Sequence, residues 1–408
     1  MKKKVIIVEP SFYGVPFVTA AKEMNCKVIC VVSDIDNPNK YGYAGQFDDL
    51  IVADIRNSAS ILDAILNSKY REFDAIIPGT DYVTAVTAKV AEQLNMFGNS
   101  YFAAKCARNK DLAREQYLKK GVPSAKFAVV KSIEEARAAS KRIGYPLILK
   151  PTNTASSIDV FYIDSDDELQ KRFIQISKLK QSYMDFKVRN EFILEEFLVG
   201  PEFSVELFLN NDKIEFVEVT EKHTTEPPYF VELMHVFPTT IDTEHKEEII
   251  DTAYKAAQAL DFHNGPTHIE VKMTSNGSRV IEVNGRPGGD HITSDLIFDA
   301  YGINIFAKTI ELYLNHDVTI APTKNQAAAI SFLFTEQDGK LKSVDGLQVI
   351  RTSQGFKKLV VDSLPGQIVR VPTNSDDRIG YFIISGDDAT QLKNEIIELN
   401  KKIKVHVD

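Results

Sequence analysis

Residues 267–291 read THIEVKMTSNGSRVIEVNGRPGGDH, a pattern that few folds satisfy. Two alternating runs, THIEVKM and RVIEVN, flank Asn276 and Gly277, a strong short-range signal for a β-hairpin. Alternate side chains of a strand share a face, so Glu282, Asn284 and Arg286 are expected on one surface. Glu270 joins them only if the two glutamates are cross-strand partners. That register needs an odd loop. A three-residue turn over Ser275 to Gly277 pairs them, whereas a two-residue Asn-Gly turn separates the faces. Facing carboxylates repel unless a cation lies between them. With no Cys or His in the set, Glu270, Glu282 and Asn284 favour Mg²⁺ over Zn²⁺. Arg286 can fork onto a phosphoryl or carboxylate oxygen. The bare backbone of Gly288 and Gly289, after Pro287, suits a substrate carboxylate or an oxyanion, with Asp290 and His291 beside it.

At 408 residues the chain exceeds one ordinary domain, and two to four are expected. Its net charge of −9 argues against a nucleic-acid partner. The opening MKKKVIIV begins like a signal peptide, but the apolar run stops at Glu9 and Pro10, short of the roughly 7–15 residues a secretory core needs. No stretch approaches the roughly 20 apolar residues of a membrane span. Cys26, Cys30 and Cys106 make no disulfide framework, so a cytoplasmic setting is expected.

Short apolar strands at 4–8, 27–32, 48–54 and 73–79 alternate with helical patterns, the signature of a doubly wound parallel sheet. The first turn, EPSFYG, lacks G-x-G-x-x-G, which argues against a dinucleotide cradle and leaves Asp34 a turn residue. A second unit begins near residue 100. It has a helix over 105–120, a helix over 132–143, the strand YPLILKP and a helix over 165–180. Strands resume at 193–209, and a helix over 243–261 precedes the hairpin. After 325 strands are expected at AAAISFLF, LQVIRT, IVRV and YFIISG, then a helix over 388–402.

The chain has no G-x-x-x-x-G-K-[ST]; Gly339 and Lys340 are followed by Leu341. Nucleotide phosphates would therefore need side-chain cations, for which Lys110 and Lys150 are candidates. Lys150 ends an apolar strand, so its stem can lie against the core while the ammonium points into a cleft. The Ser/Thr-rich turn TNTASSID after it could close over phosphate. In ILEEFLVGPEFSVE, Glu195, Glu196 and Phe197 form an extended segment suited to an adenine edge, and Glu202 could accept ribose hydroxyls. Glu232 and His235, three apart in VELMHVFP, follow a Pro-containing stretch.

Taken together these motifs resemble the ATP-grasp superfamily, and the pairing of Glu232 and His235 with RPGGDH resembles its L-amino acid ligase (dipeptide synthetase) branch. Similarity covers about residues 1 to 320. The resemblance implies an α/β (α+β overall) ATP-grasp fold. Its parts would be an N-terminal pre-ATP-grasp domain (1–104), a lid subdomain (105–190), a large subdomain with the metal and catalytic site (191–320) and a C-terminal β-rich subdomain (321–408). By position, Lys110 and Lys150 would contact ATP, Ser156 and Ser157 the phosphates from the lid, Glu195, Glu196 and Phe197 the adenine, and Glu202 the ribose. Glu270, Glu282 and Asn284 would hold Mg²⁺, as two ions, with Mn²⁺ as a substitute. Glu232, His235 and Arg286 would be catalytic. The lid of the family is usually glycine-rich, and TNTASSID is not.

The implied chemistry joins two unprotected amino acids through an acyl phosphate, releasing ADP and phosphate. Asp81, at a strand end in IIPGTDYVT, is a candidate for holding an amino group. Asp290 and Asp376 would favour a cationic side chain if they line the pocket. The partners expected are small-molecule amino acids, with no nucleic acid or membrane, and a homodimer is the default assembly. The competing readings are an ATP-grasp ligase with another amine acceptor in natural-product or cofactor biosynthesis, and a non-catalytic nucleotide-binding regulator.

Overall fold

The computed structural model describes residues 2–155 and 159–408. Ser156 and Ser157, expected in the lid, lie outside the described residues. At the N-terminus four parallel strands stand in the order Asp49–Val52, Lys27–Val32, Lys4–Val8, Ala75–Pro78. Val5 and Ile7 enter a core with Phe17 and Val18 of helix Val15–Glu23. Ile6 and Val8 enter a different one with Ile61 and Ile65 of helix Ser58–Leu66. One apolar strand thus feeds two faces, as a doubly wound sheet demands.

The segment expected as one helix over 105–120 is two, Tyr101–Arg108 and Lys110–Lys120. Asn109 breaks it with extended φ/ψ of −128° and 104°, and the Lys110 N–H instead donates to the Thr152 carbonyl at 2.8 Å. A four-stranded antiparallel sheet follows, ordered Phe127–Val130, Phe192–Glu196, Leu147–Pro151, Phe161–Ile163. Helices Ile133–Ile143 and Asp166–Ile176 cover its apolar face.

The largest sheet has eight strands, in the order Gly277–Asn284, Gly265–Thr274, Glu202–Asn210, Lys213–Thr224, Glu232–Phe237, Ala327–Leu333, Gly380–Gly386, Phe356–Val361. Its last three strands come from beyond residue 320. The boundary expected there therefore crosses a continuous hydrogen-bonded ladder, because Glu232–Phe237 pairs directly with Ala327–Leu333. LQVIRT, expected as a strand, forms helix Leu347–Arg351. Gly346 before it adopts φ 87°, with its α-carbon so close to the Lys402 carbonyl that a Cβ would sit 2.2 Å from that oxygen. Among the described residues no helix is long and apolar enough to cross a membrane.

The hairpin corrects the expected turn while keeping its consequence. Thr274 pairs with Gly277, so the loop is Ser275 and Asn276, two residues rather than three. An even loop alone would separate the glutamates. The register then shifts: Val271 pairs with Val280 but Glu270 pairs with Glu282, leaving Ile281 as a bulge. One extra residue on one strand reverses the parity. A second bulge acts the same way in Glu232–Phe237, where Lys222 pairs with His235 but Thr224 with Glu232. That shift brings Glu232 and His235, an odd number of residues apart, to the same cavity.

Candidate active site

A cavity of about 940 Å³ runs between the four-stranded antiparallel sheet (the expected lid), the eight-stranded sheet and the strand-end loops of the N-terminal unit. Its lining includes Lys110, Lys150, Glu195, Glu196, Phe197, Glu202, Glu232, His235, Glu270, Glu282, Asn284, Arg286, Gly289, Asp290, His291 and Asp376. The large majority of the side chains singled out in the sequence thus converge on one space.

At the lid end, strands Leu147–Pro151 and Phe192–Glu196 are antiparallel neighbours and bring Lys150 to Glu195. The two are buried and their charged atoms lie 2.6 Å apart, with Arg114 Nε 2.7 Å from the other carboxylate oxygen. Burial alone would push the Glu195 carboxyl up; the Arg114 and Lys150 charges outweigh it and hold it at about 2. Lys150 moves the other way: burial lowers its pKa, and Arg114 and Lys110 add to that against the pull of Glu195. The Glu195 carboxylate is committed to Lys150 and Arg114, so what it offers the cavity is a positioned Lys150. Glu196 turns to the rim and accepts from the Lys126 N–H at 2.8 Å. Phe197 packs at 5.1 Å against Tyr162 and 5.9 Å from Phe230, with Lys272 Nζ 5.2 Å from its ring centre.

At the sheet end Lys222, buried, donates to Glu202 at 2.7 Å and to Glu270 at 2.8 Å, with Glu232 4.0 Å away. Burial works against this ammonium, but Glu202, Glu270 and Glu232 together hold its pKa well above the ordinary value. Glu270 is held well below the carboxylate range, burial being overcome by Lys222 and His268. Glu282 meets Lys110 Nζ at 3.1 Å, and that ammonium also donates to the Thr154 carbonyl at 2.8 Å. Asn284 spends its Nδ2 on the His268 carbonyl at 3.5 Å, which leaves its amide oxygen for the cavity. Among the described residues no three His, Cys, Asp or Glu side chains gather in a metal-holding cluster. Two opposed carboxylates and one amide oxygen, all cavity-lining, nevertheless form the hard donor set that suits Mg²⁺ with water and phosphate as further ligands.

Beyond them Arg286 lies over the Tyr13 ring at 4.5 Å, with Nε 3.7 Å from Asp81. Asp81 departs from expectation. It is buried and its carboxylate pairs with Arg108, so it anchors arginines instead of a substrate amine. Burial raises the Asp81 pKa, but Arg108 and Arg286 prevail and keep it low. His235 has Nε2 3.4 Å from Asp290, while its buried Nδ1 has no hydrogen-bond partner among the described residues. Asp290 is in turn gripped by Arg378 through bonds of 2.8 and 2.9 Å, which removes the acidic charge expected to attract a cationic side chain. Gly289 lines the cavity; Gly288 packs elsewhere, since a Cβ there would lie 2.7 Å from Glu206 and 2.8 Å from His268. Those two form a buried pair at 2.6 Å. Burial lowers the His268 pKa, but Glu206 and Glu270 lift it to about 9. Asp376 accepts from the Tyr183 hydroxyl at 2.5 Å.

Sequence reasoning missed Lys222, Arg108, Arg114, Tyr13 and Arg378. Lys222 stands in register with both Glu202 and His235. That placement comes from strand pairing and has no local signature. Arg378 follows the Asp-rich turn Ser375–Asp377, which the sequence marked only by its acids.

Comparison with known proteins agrees with this architecture. The ATP-grasp domain family matches residues 143–295, and the family described as L-amino acid ligase C-terminal domain 2 matches residues 331–408. The chain is 35% identical to the alanine–anticapsin ligase of Bacillus subtilis (strain 168) over 216 residues, which cover 50% of this chain and 46% of that one. It therefore spans about half the length of that relative. An L-arginine-specific L-amino acid ligase of Bacillus subtilis is 21% identical over 344 residues, 83% of this chain and 82% of that one. In fold, the crystal structure of an L-amino acid ligase from Bacillus licheniformis superposes with a TM-score of 0.82 at 20% identity, covering 100% of this chain and 99% of that one. The chain thus carries an ATP-grasp domain over residues 143–295 and, after it, an L-amino acid ligase C-terminal domain over residues 331–408, on a fold shared with a solved L-amino acid ligase.

Proposed function

We propose that the protein joins two free L-amino acids into a dipeptide through an acyl phosphate, releasing ADP and phosphate. The observation that carries this reading is the convergence on one cavity of cross-strand Glu270 and Glu282, Lys110, Lys150 and Lys222, and Arg286. ATP-grasp enzymes use ATP and Mg²⁺. Here Glu270, Glu282 and Asn284 would hold the metal as two ions, with Mn²⁺ as a substitute, supplying charge neutralisation during phosphoryl transfer. Lys150, fixed by Glu195, and Lys110 orient the nucleotide phosphates. Phe197 and the backbone of Glu195 and Glu196 form the adenine edge, and Glu202 lies on the ribose side.

In the first step a carboxylate oxygen of one amino acid takes the γ-phosphoryl group and ADP leaves. His235, held against Asp290, lines the cavity beside the transferring group, and Arg286 steadies the carboxylate. In the second step the amine of the other amino acid attacks the acyl carbon. Arg286 and the Gly289 N–H stabilise the oxyanion, the C–O bond to phosphate breaks, and the amine proton passes to Glu232. Water exclusion by the lid protects the acyl phosphate. The three buried cysteines and the charge balance fit a cytoplasmic enzyme.

A second reading, in which one partner is alanine and the acceptor resembles anticapsin, is favoured by the 35% identity to the alanine–anticapsin ligase. The test is ADP and phosphate release by purified protein with pairs of free amino acids, with products identified by mass. Stimulation by pairs with a condensed product supports the dipeptide reading. Release only with a non-amino-acid amine shifts it to another acceptor, and no stimulation by any pair ends it.

A further inference from the structure

Beyond Arg286 the cavity ends in a wall of aromatic rings: Phe12 and Tyr41 with centroids 5.0 Å apart, Phe12 and Tyr183 at 6.3 Å, and Tyr82 and Tyr183 at 6.2 Å. All four line the cavity, and Phe12 is 56% exposed. A large ring left open to solvent is costly unless something covers it. The loops presenting these rings are held in unfavourable backbone conformations. Phe12 has φ 48° and Glu9 φ 51°, while Met184 and Asp185 after Tyr183 have φ 56° and 59°. None is glycine, and such strain persists only where the surroundings enforce it, which happens most often at ligand-binding sites.

The enforcing groups are identifiable. Glu9, only 1% exposed, accepts from the Ser33 N–H at 2.7 Å, the Ser33 hydroxyl at 2.8 Å and Asn37 Nδ2 at 2.7 Å. Asn37 opens the short helix Asn37–Lys40, which Tyr41 caps, so one buried carboxylate ties the Phe12 loop to the Tyr41 segment. Tyr183 is fixed separately through Asp376. Tyr13, next to Phe12, carries Arg286 on its ring. The wall therefore starts one residue from the arginine that steadies the reacting carboxylate.

On the basis of the amino acid ligase reading, we infer that the Phe12–Tyr41–Tyr183 wall is the subsite for the side chain of the activated amino acid, and that it selects aromatic and large aliphatic side chains. Aromatic faces also attract cations, but here that role is already filled. Lys40 Nζ sits 5.0 Å from the centre of the Tyr41 ring and the Arg108 guanidinium 4.6 Å from that of Tyr82. Two acids that would otherwise favour a cationic side chain, Asp81 and Asp290, are paired with Arg108 and Arg378. The third, Asp376, is engaged by the Tyr183 hydroxyl. An arginine or lysine side chain would enter against the positive charges of Lys40 and Arg108, whereas an uncharged side chain meets the faces of Phe12, Tyr41 and Tyr183.

The test uses the full-length protein with L-alanine as the fixed partner and L-phenylalanine, L-leucine, L-alanine, L-arginine or L-glutamate as the varied amino acid, scored by kcat/KM for ADP release. L-Phenylalanine and L-leucine are expected to lead. Phe12→Ala should cut the phenylalanine-to-alanine preference by about 10-fold or more, mainly through KM, and Phe12→Tyr should restore it. A lead by L-arginine or L-alanine, or an unchanged preference in Phe12→Ala, overturns the inference. Should no amino acid drive ADP release, the ligase reading fails on its own account. Calorimetric titration of L-phenylalanine with a non-hydrolysable ATP analogue then decides the subsite: binding weakened by Phe12→Ala supports it, and no binding overturns it.

Discussion

Lys150 and Lys222 are both buried lysines that end against a glutamate in the same cavity, yet their surroundings push them in opposite directions. Lys150 shares the single carboxylate of Glu195 with Arg114, and burial together with those positive neighbours lowers its pKa. Lys222 faces Glu202, Glu270 and Glu232, and their charge raises its pKa despite equal burial. Charge balance, not burial, separates them. The lid end carries surplus positive charge and is suited to an anion such as phosphate. The sheet end gathers Glu202, Glu232 and Glu270 around Lys222 and is suited to a further cation. The polarity of the cavity is thus written into its ion pairs before any ligand enters.

The strongest way to break this contrast is to remove a carboxylate from the sheet end. Glu282→Ala should lower ADP release by roughly three orders of magnitude, since metal stabilisation of transferring charge contributes several kcal/mol. Its melting temperature should stay within a few degrees of the parent, because Lys110 keeps its bond to Thr154. A variant that unfolds would make Glu282 a structural residue.

Removing the cations compares the two ends directly. Lys222→Met strands three carboxylates and should cost about 3–5 kcal/mol in thermal unfolding without metal. Added Mg²⁺ should recover part of that loss and stabilise this variant more than the parent. Lys150→Met leaves Glu195 with Arg114 and should cost less, about 1–3 kcal/mol, with no recovery by Mg²⁺. Equal losses, or equal Mg²⁺ rescue, would show that the ends do not differ in the way their ion pairs indicate.

Acid titration isolates the lid end. The Glu195 carboxyl is held at about 2 against an ordinary value of 4.5. A depressed pKa contributes stability that is complete above the unfolded value and disappears as pH falls through the folded one. Glu195 should therefore contribute on the order of 3 kcal/mol above pH 4.5 and lose it between there and about pH 2. In Glu195→Gln that part of the acid-induced fall in melting temperature should be missing. A parent and a variant with parallel acid limbs would refute the assignment.

These contrasts also mark what the sequence could tell. Glu270, Glu282, Asn284 and Arg286 were legible because the chemistry of hard donors and a guanidinium restricts residue type, and alternation proposes a shared face. The route to that face was not. The turn is even, and a bulge at Ile281 restores the pairing; a bulge near Leu233 likewise delivers Glu232 and His235 together. Bulges depend on how a strand meets the rest of the sheet, and alternation carries no trace of them. The same limit hid the counter-charges. Asp81 read as a free acid because Arg108 lies 27 positions away, and Asp290 because Arg378 lies 88 away. Pairing at that range is a property of topology.

The smallest expected effect tests whether burial is required for the contrast at all. Glu195 and Glu196 are consecutive on one strand, so they face opposite ways. Glu195 is only 4% exposed and holds Lys150, whereas Glu196 meets Lys126 at 3.4 Å on the rim, where that lysine side chain is 72% exposed. Water screens the outer pair, and exposed ion pairs contribute about 0–1 kcal/mol. Lys126→Ala should thus leave unfolding within about 1 kcal/mol of the parent, with the remaining effect disappearing at high salt. A loss as large as that of Lys150→Met would mean that position on the strand, and not desolvation, sets the strength of these pairs, and the electrostatic account of both cavity ends would fall with it.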